Sequence, residues 1–433
     1  MPRPAPQAIR HRRPSYLAPP PLLLESEPFE GAALLQEQPG PLGVVLWKSL
    51  RDVSLWTSAG PEERPTLFVP SAAGARGAEI AEAATPELWA PLLVIAHVLA
   101  EPVRVDERRL VHACRTIADW GRRQGATAVQ LAFTQAAARL VPDEPRLAYA
   151  VGRLARDRGE YARGESWLRA SISLSRNQDW HTYALGYLSL GSLYQMIGNL
   201  PAARVVTVRG YRTASRRRLR PLRGTALHNL FSIAGEMLDF RRAHKYALLA
   251  FRQYGPDHER FPALVQDVAC FWILHGCFDL AVRAFHSVLP RFTAGEDRML
   301  VLANLARAAA AAGHTTLYLA ARAESAALMS FPQRPEREAQ VWLNLARADA
   351  TAGLTEQAEA ALGRAEVLAD QLRLGLMRFE AEALRGAIQS ARMQSARVEA
   401  ATGTPGLRDE AEQLATAILE SLAPSTRMSG AGA

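Results

Sequence analysis

Residues 341–365, with the sequence VWLNLARADATAGLTEQAEAALGRA, decide how the rest of the chain is interpreted. Apolar and small residues recur at helical spacing on both sides of Gly353, which predicts two helices joined by a tight turn. This arrangement occurs seven times, with successive turns 34 to 40 residues apart. The turn residues are Gly125, Gly159, Gly198, Leu238, Gly276, Gly313 and Gly353. A constant period of this length predicts stacked helix pairs, because a single pair cannot bury its own apolar face.

The side chains within these pairs resemble the tetratricopeptide family. In the repeat that turns at Gly198, Tyr187, Leu190, Gly191 and Tyr194 match family positions 4, 7, 8 and 11. Two further repeats match in the same way, through Val268, Ala269, Trp272, Gly276, Phe278, Ala281 and Phe285, and through Trp342, Leu345, Ala346, Gly353, Ala358, Leu362 and Ala365. The resemblance covers residues 110 to about 370 and implies an all-α, right-handed α-solenoid of about seven tetratricopeptide-like helix pairs.

The chain departs from the family pattern at three points. Most repeats are 37 to 40 residues long instead of thirty-four, and Leu238 stands where the other turns have glycine. The second helix of the sixth repeat carries Thr315, Tyr318 and Arg322 where small or apolar residues are expected.

Four segments are predicted. Residues 1–84 are rich in proline, which removes a backbone donor and fixes φ, so we expect a largely disordered arm with one short helix near 43–56. Residues 85–375 form the solenoid. Residues 376–422 are expected to be C-terminal capping helices, and 423–433 a flexible tail.

The sequence contains none of the common catalytic motifs that we considered. The chain contains no Walker loop, no Gly-x-Ser-x-Gly elbow and no His-Glu-x-x-His motif, so we expect neither an enzyme nor a cofactor. Three cysteines at irregular spacing indicate reduced thiols in a cytoplasmic protein. Cys270, His275 and Cys277 are close in sequence, but a packed pair of thiols is favoured over a metal site because no fourth ligand is apparent. The longest apolar segment is far too short to span a membrane, so no membrane partner is expected.

A pentapeptide that occurs twice gives the candidate binding site. Asn304 to Ala308 and Asn344 to Ala348 both read Asn-Leu-Ala-Arg-Ala. The family resemblance places the Asn and the Arg of each copy on the concave groove. Asn both donates and accepts, and Arg binds carboxylates, so the predicted ligand is a peptide or protein segment. The predicted groove residues are Asn229, Asp267, Asn304, Arg307, Asn344 and Arg347. The alternative is that each Asn satisfies a buried carbonyl while each Arg is only solvated.

A second candidate site is an arginine cluster. No Asp or Glu occurs between Trp180 and Gly235, although the chain as a whole has a net charge of +8. The cluster consists of Arg204, Arg209, Arg212, Arg216, Arg217, Arg218, Arg220 and Arg223. It is interpreted either as a solvated or internally paired basic face, or as a patch for an anionic partner, an acidic protein or nucleic acid. With Tyr211 as the one aromatic residue counted beside it, no tight nucleic-acid complex is expected at physiological salt.

The sequence therefore predicts a non-enzymatic protein- or peptide-binding repeat protein, acting as a scaffold, adaptor or regulatory sensor through its groove. The alternative function is nucleic-acid binding through the 204–223 arginine cluster. The sequence does not predict an oligomeric state.

Overall fold

The computed structural model describes residues 30–293, 295–329, 335–372, 374–394 and 405–422. Within these ranges all regular structure is helical: there are twenty-one α-helices, one 3-10 turn and no strand. The predicted all-α fold is thus confirmed. None of the described helices is both long and apolar enough to cross a membrane. The chain divides into two compact units, Met1–Leu222 and Arg223–Ala433.

The first unit begins with five helices, four of which contribute buried residues to one core with the first helix pair. Their bounds are α1 Glu30–Glu37, α2 Pro41–Ser58, α3 Arg64–Leu67, α4 Ser71–Ala83 and α5 Pro86–Ala100. Three helix pairs follow. They are α6 Glu107–Gln124 with α7 Thr127–Leu140, α8 Pro145–Asp157 with α9 Tyr161–Ser175, and α10 Trp180–Met196 with α11 Leu200–Arg216.

The second unit continues the same pattern. Helix α12, Arg220–Glu236, contains the division between the units. The remaining helices are α13 Phe240–Tyr254, α14 Phe261–Leu274, α15 Phe278–Val288, α16 Gly295–Ala312, α17 Thr315–Leu328, α18 Pro335–Thr351, α19 Thr355–Gln371, α20 Gly375–Gln394 and α21 Pro405–Leu422, with the 3-10 turn Leu289–Arg291 after α15.

The seven predicted turns share one backbone conformation. The six glycines have φ between 71° and 78°, and Leu238 has φ 58°. In this left-handed region a helix ends because its last carbonyls accept hydrogen bonds from the turn itself. Asn199 N donates to Tyr194 O at 2.8 Å, and Asp239 N donates to Ala234 O at 2.9 Å. Leu238 therefore makes the same turn as Gly198, at the cost of an unfavourable backbone conformation for a residue with a Cβ atom.

The region before residue 85 differs from the prediction. One short helix was expected there, yet the described part of this region contains four helices, α1 to α4. Pro41 and Pro65 lie in the first turns of α2 and α3, where a missing N–H costs nothing. Leu34, Leu46 and Ile80 are fully buried in the core shared with α5 to α7. Burial in the tertiary structure thus overrides the preference of proline for loops. Residues 1–29 and the predicted tail at 423–433 lie outside the described residues.

The Glu37 side chain attaches α1 to the first helix pair. Its carboxylate accepts hydrogen bonds from the backbone N–H groups of Ala128 and Val129, at 2.8 and 3.0 Å. These groups are at the N-terminus of α7 and have no partner within that helix. A negative charge is also favoured at this end by the helix dipole. The acid therefore satisfies two orphan donors from a distant part of the sequence.

The two helices expected as terminal caps lie in different places. Helix α20 packs beside α18 and α19, as a cap would. Helix α21 instead packs against α13 and α15. Its Leu414 and Ile418 form an apolar stripe on one side of the helix and are 2% and 1% exposed. A stripe of this kind must be covered by protein, and the second helices of two earlier pairs cover it.

A buried polar triad explains the unusual second helix of the sixth repeat. Tyr318 donates a hydrogen bond from its hydroxyl to Asp349 Oδ1 at 2.6 Å. Arg322 donates Nε to Oδ1 at 2.6 Å and Nη2 to Oδ2 at 2.8 Å. Asp349 lies on α18 and is fully buried. The hydrogen bond between Arg322 and Asp349 is the main cause that raises the pKa of Arg322. Tyr318 and Arg322 are therefore not failed core positions, because they join α17 to α18.

His244 on α13 is held as a neutral imidazole. Its Nδ1 lies 3.0 Å from the Phe240 carbonyl and its Nε2 lies 3.4 Å from Trp272 Nε1. The carbonyl can only accept and the indole can only donate, so the proton belongs on Nδ1 and Nε2 accepts. Burial lowers the pKa of His244, and the Phe240 carbonyl and Glu410 have smaller opposing effects. Burial also lowers the pKa of His275, and the repulsion that a protonated His244 would exert lowers it further.

We expect the free energy of unfolding of the second unit to decrease as the pH falls below about 6.5, the ordinary His value. Below it the unfolded chain binds protons that the folded imidazoles do not, so acid favours unfolding. Each such proton contributes at most about 1.4 kcal/mol per pH unit. Urea unfolding between pH 5 and 8 measures this slope. His244→Phe should flatten it, whereas the exposed His181→Gln should not; an identical slope in wild type and His244→Phe would contradict the prediction.

Candidate functional site

The duplicated pentapeptide occupies equivalent places on α16 and α18. Asn304 is 5% exposed and Asn344 is 6% exposed, while Arg307 and Arg347 are both partly buried. The burial classes of residues 301–310 and 341–350 are the same at every position. The repeated sequence is therefore also a repeated environment.

Arg347 is held by an acid that the sequence did not single out. Its Nη2 donates to Glu380 Oε2 on α20 at 3.1 Å, and its Nη1 donates to Asn344 Oδ1 at 3.4 Å. These groups border a cavity of about 430 Å³ between α18 and α20. The cavity is lined by Gln340, Leu343, Asn344, Arg347, Leu374, Gly375, Met377 and Glu380. Its volume is in the range of small-ligand pockets.

Arg307 has no comparable partner. Among the described residues, no carboxylate lies within 4.0 Å of its guanidinium. Burial and the nearby charge of Arg347 lower the pKa of Arg307, while Cys270 and Glu380 act weakly in the opposite sense. A partly buried cation without a counter-ion is unfavourable, and an incoming anion would offset that cost.

The amides of the two asparagines give no support to a purely structural role. Within the described part of the chain, the side-chain amide of Asn304 makes no hydrogen bond, although the residue is almost fully buried. Asn344 accepts only the long bond from Arg347. Neither amide satisfies a carbonyl of a neighbouring helix there. Both asparagines therefore retain donor and acceptor capacity for a ligand.

The other predicted groove residues lie on the preceding first helices. Asp267, on α14, is exposed, and its Oδ2 lies 2.8 Å from His228 Nε2. Asn229, on α12, is partly buried. Cys270 follows Asp267 at the spacing that separates Asn304 from Arg307, and burial raises the pKa of its thiol to about 12. Asp267 and Arg307 also act on this thiol electrostatically.

Together these side chains form a polar row across α14, α16, α18 and α20. The polar row consists of Asp267, Cys270, Asn304, Arg307, Asn344, Arg347 and Glu380. Four of the six predicted groove residues, the two pentapeptide pairs, are brought together, and Asp267 joins them through Cys270. Sequence reasoning missed Cys270, whose spacing from Asp267 was the available signal. It also missed Glu380, for which the sequence gives no signal.

The arginine cluster lies apart from the polar row in sequence. Arg204, Arg209, Arg212 and Arg216 are on α11, Arg217 and Arg218 follow it, and Arg220 begins α12. Arg223 belongs to the second unit, where its Nε donates to Gln253 Oε1 at 2.6 Å. All eight are exposed, and within the described ranges none has a carboxylate within 4.0 Å. Internal pairing, one of the two interpretations of the cluster, therefore has no support in the described residues.

None of the three cysteines forms a disulfide, and Cys114 is buried. Across the described ranges, no group of three or more His, Cys, Asp or Glu side chains is arranged to hold a metal ion. Cys277 Sγ lies 3.8 Å from the His275 carbonyl oxygen.

The chain is similar to the structure of BtubC (BKLC) from P. vanneervenii, at 16% identity and a TM-score of 0.32, over 62% of this chain and 92% of that one. It is also similar to the TPR2AB domain of yeast Sti1 in its complex with pHSP90, at 13% identity and a TM-score of 0.26, over 65% and 98% of the two chains. No family model matches, and no curated protein matches significantly. These TM-scores are low, so the assignment as a tetratricopeptide-like repeat protein depends on the helix pairs and turns described above.

Proposed function

We propose that this chain is a non-enzymatic binding protein that holds a linear peptide or protein segment along the polar row of its second unit. Such a protein acts as a scaffold, adaptor or regulatory sensor. The observation that carries the proposal is Arg307, a partly buried cation with no counter-ion among the described residues. Three cysteines that form no disulfide support a reducing, cytoplasmic location.

The charges of the polar row favour a ligand with a carboxylate. Arg347 is already engaged by Glu380, so the uncompensated positive charge is at Arg307. A carboxylate placed there accepts charge-assisted hydrogen bonds from a guanidinium fork. Asp267 at the other end of the polar row disfavours a second acid and favours a neutral or basic ligand residue. The charges of the polar row therefore favour one orientation of the bound peptide, with its carboxylate at Arg307 and a neutral or basic residue near Asp267.

The asparagine amides would bind the backbone of the peptide, and the cavity between α18 and α20 would bind one of its side chains. Asn304 and Asn344 can each donate to a peptide carbonyl and accept from a peptide N–H, which reads backbone independently of sequence. The cavity of about 430 Å³ between α18 and α20 has Leu343 and Met377 on its walls. It suits one apolar ligand side chain next to the backbone held by Asn344.

We expect the Asn304→Ala and Asn344→Ala double variant to bind such a peptide about 1–3 kcal/mol more weakly, because each amide contributes a net hydrogen-bond energy of about 1 kcal/mol. The probe is a linear peptide selected on the wild-type protein from a phage-displayed random library, and its Kd is measured by fluorescence anisotropy. The thermal midpoint should be nearly unchanged, since neither amide bonds to a neighbouring helix in the described structure.

Two results would count against the proposal. If the double variant unfolds readily, the asparagines are structural. If it binds the selected peptide as tightly as wild type, the peptide lies elsewhere. Ser232→Ala, at the register of Arg307 in an earlier repeat, serves as a matched control for a small polar truncation.

A further inference from the structure

One side of α11 carries a row of arginines that the polar row does not use. Arg209, Arg212 and Arg216 are spaced three and four residues apart, so they share a face about 10 Å long. All three are exposed, and no carboxylate lies within 4.0 Å of them in the described chain. We call these three residues the arginine face. It is a positive surface without internal compensation.

An aromatic row on α10 borders the arginine face. Trp180, Tyr183 and Tyr187 contact each other edge to face, with ring centroids 5.4 and 5.1 Å apart. Each ring is partly exposed. Burial and a hydrogen bond with Tyr187 raise the pKa of Tyr183 to about 12, and the charges of Arg176 and Arg209 oppose this. Helices α10 and α11 pack against each other as a pair, and Arg209 also acts electrostatically on Tyr183, so the two rows are neighbours.

Arg217 joins the same surface through a cation–π contact. Its guanidinium carbon lies 4.0 Å from the centroid of the Trp180 ring. Arg217 is also exposed, so its guanidinium is accessible to a flat ligand while it lies over the indole. In the sequence, Tyr211 is the one aromatic residue beside the cluster, whereas in the structure three rings from α10 lie beside it as well.

This combination discriminates between anionic partners. An acidic protein segment needs only the guanidinium charges. Nucleic acid uses phosphate contacts and flat stacking surfaces together, and it is the unstacked bases of a single strand that lie on aromatic rings or guanidinium planes. The aromatic row and the Arg217–Trp180 pair are unexplained by a purely acidic ligand.

We propose that the surface formed by α10 and α11 binds single-stranded nucleic acid. The arginine face contacts successive phosphates, and a base stacks on the exposed side of Arg217 above Trp180. This site is independent of the polar row and of the peptide proposed for it.

The first test is fluorescence anisotropy of the full chain with a fluorescein-labelled 20-mer of uridine and a 20-mer of deoxythymidine. With three phosphates neutralised, log Kd should change with log salt concentration with a slope of about 2, from 0.7 per contact on a single strand. Arg209→Glu, Arg212→Glu and Arg216→Glu together should weaken binding at least tenfold in 50 mM salt and remove most of that slope. The charge-matched control is Arg108→Glu, Arg115→Glu and Arg122→Glu on α6, which should retain binding within about threefold after allowance for net charge. Equal loss in the two triple variants would overturn the proposal in favour of non-specific attraction.

The second test separates bases from charge. An abasic 20-mer has the same phosphates but nothing to stack, and we expect it to bind at least tenfold more weakly than the uridine strand. Polyglutamate of equal charge should compete poorly. If the abasic strand or polyglutamate binds as well as the uridine strand, the surface recognises an acidic protein or any polyanion, and the nucleic-acid proposal is wrong. The triple variant on α11 should still bind the selected peptide, so a failure here leaves the polar row untouched.

Discussion

Replacing Asp349 with alanine is expected to lower the free energy of unfolding of the second unit by about 3–5 kcal/mol, the cost of breaking a buried ion pair by removing one partner. Asp349 is fully buried and accepts three hydrogen bonds, from Tyr318 and Arg322. Its loss leaves a hydroxyl and a guanidinium at the α17–α18 contact without their acceptor. Urea unfolding followed by circular dichroism measures the effect.

The control for this variant is Asp370→Ala. Asp370 also pairs with an arginine, Arg378, at 2.8 Å, but its side chain is 62% exposed. Exposed pairs contribute about 0–1 kcal/mol, so Asp370→Ala should change stability little. A loss below about 1 kcal/mol for Asp349→Ala would show that the triad does not hold α17 to α18.

The second large effect is expected on binding. Arg307→Glu should weaken the selected peptide by more than about 100-fold, because it removes a charge-assisted hydrogen bond of about 1.5–3 kcal/mol and adds repulsion of the ligand carboxylate. The fold should survive, since Arg347 lies near enough to lower the pKa of Arg307 and would attract a glutamate at that position. Fluorescence anisotropy and the thermal midpoint are measured on the same samples.

Two further variants separate charge from shape. Arg307→Met keeps most of the length of the side chain and should lose about 10- to 150-fold, from the hydrogen bond alone, which is less than Arg307→Glu loses. Arg283→Glu places the same reversal on an exposed arginine of α15 that has no ion-pair partner among the described residues, and should bind the peptide as wild type does. Equal weakening by Arg283→Glu and Arg307→Glu would indicate general electrostatics instead of a site.

The turns were predictable from sequence because a glycine after an apolar helix has one common use, the left-handed end of that helix. Leu238 was found by the period alone, and its φ of 58° confirms it. The helices before residue 85 were missed because their prolines look like loop signals, whereas their burial depends on α5 to α7. Tyr318 with Asp349, and Arg347 with Glu380, are pairs between helices about thirty residues apart, which periodicity within one helix does not reveal.

The position of α21 has a consequence for the order in which the protein acquires its structure. Apart from α21, the described helices of the second unit pack mainly against their neighbours in the chain, so most of this unit is able to form progressively as it leaves the ribosome. The segment that covers α13 and α15 is translated roughly 120 residues after α15. Until it emerges, the apolar surface of these two helices is open to water and to other chains. A chaperone that shields α13 and α15 would therefore act from the time these helices are synthesised until Leu414 and Ile418 pack against them.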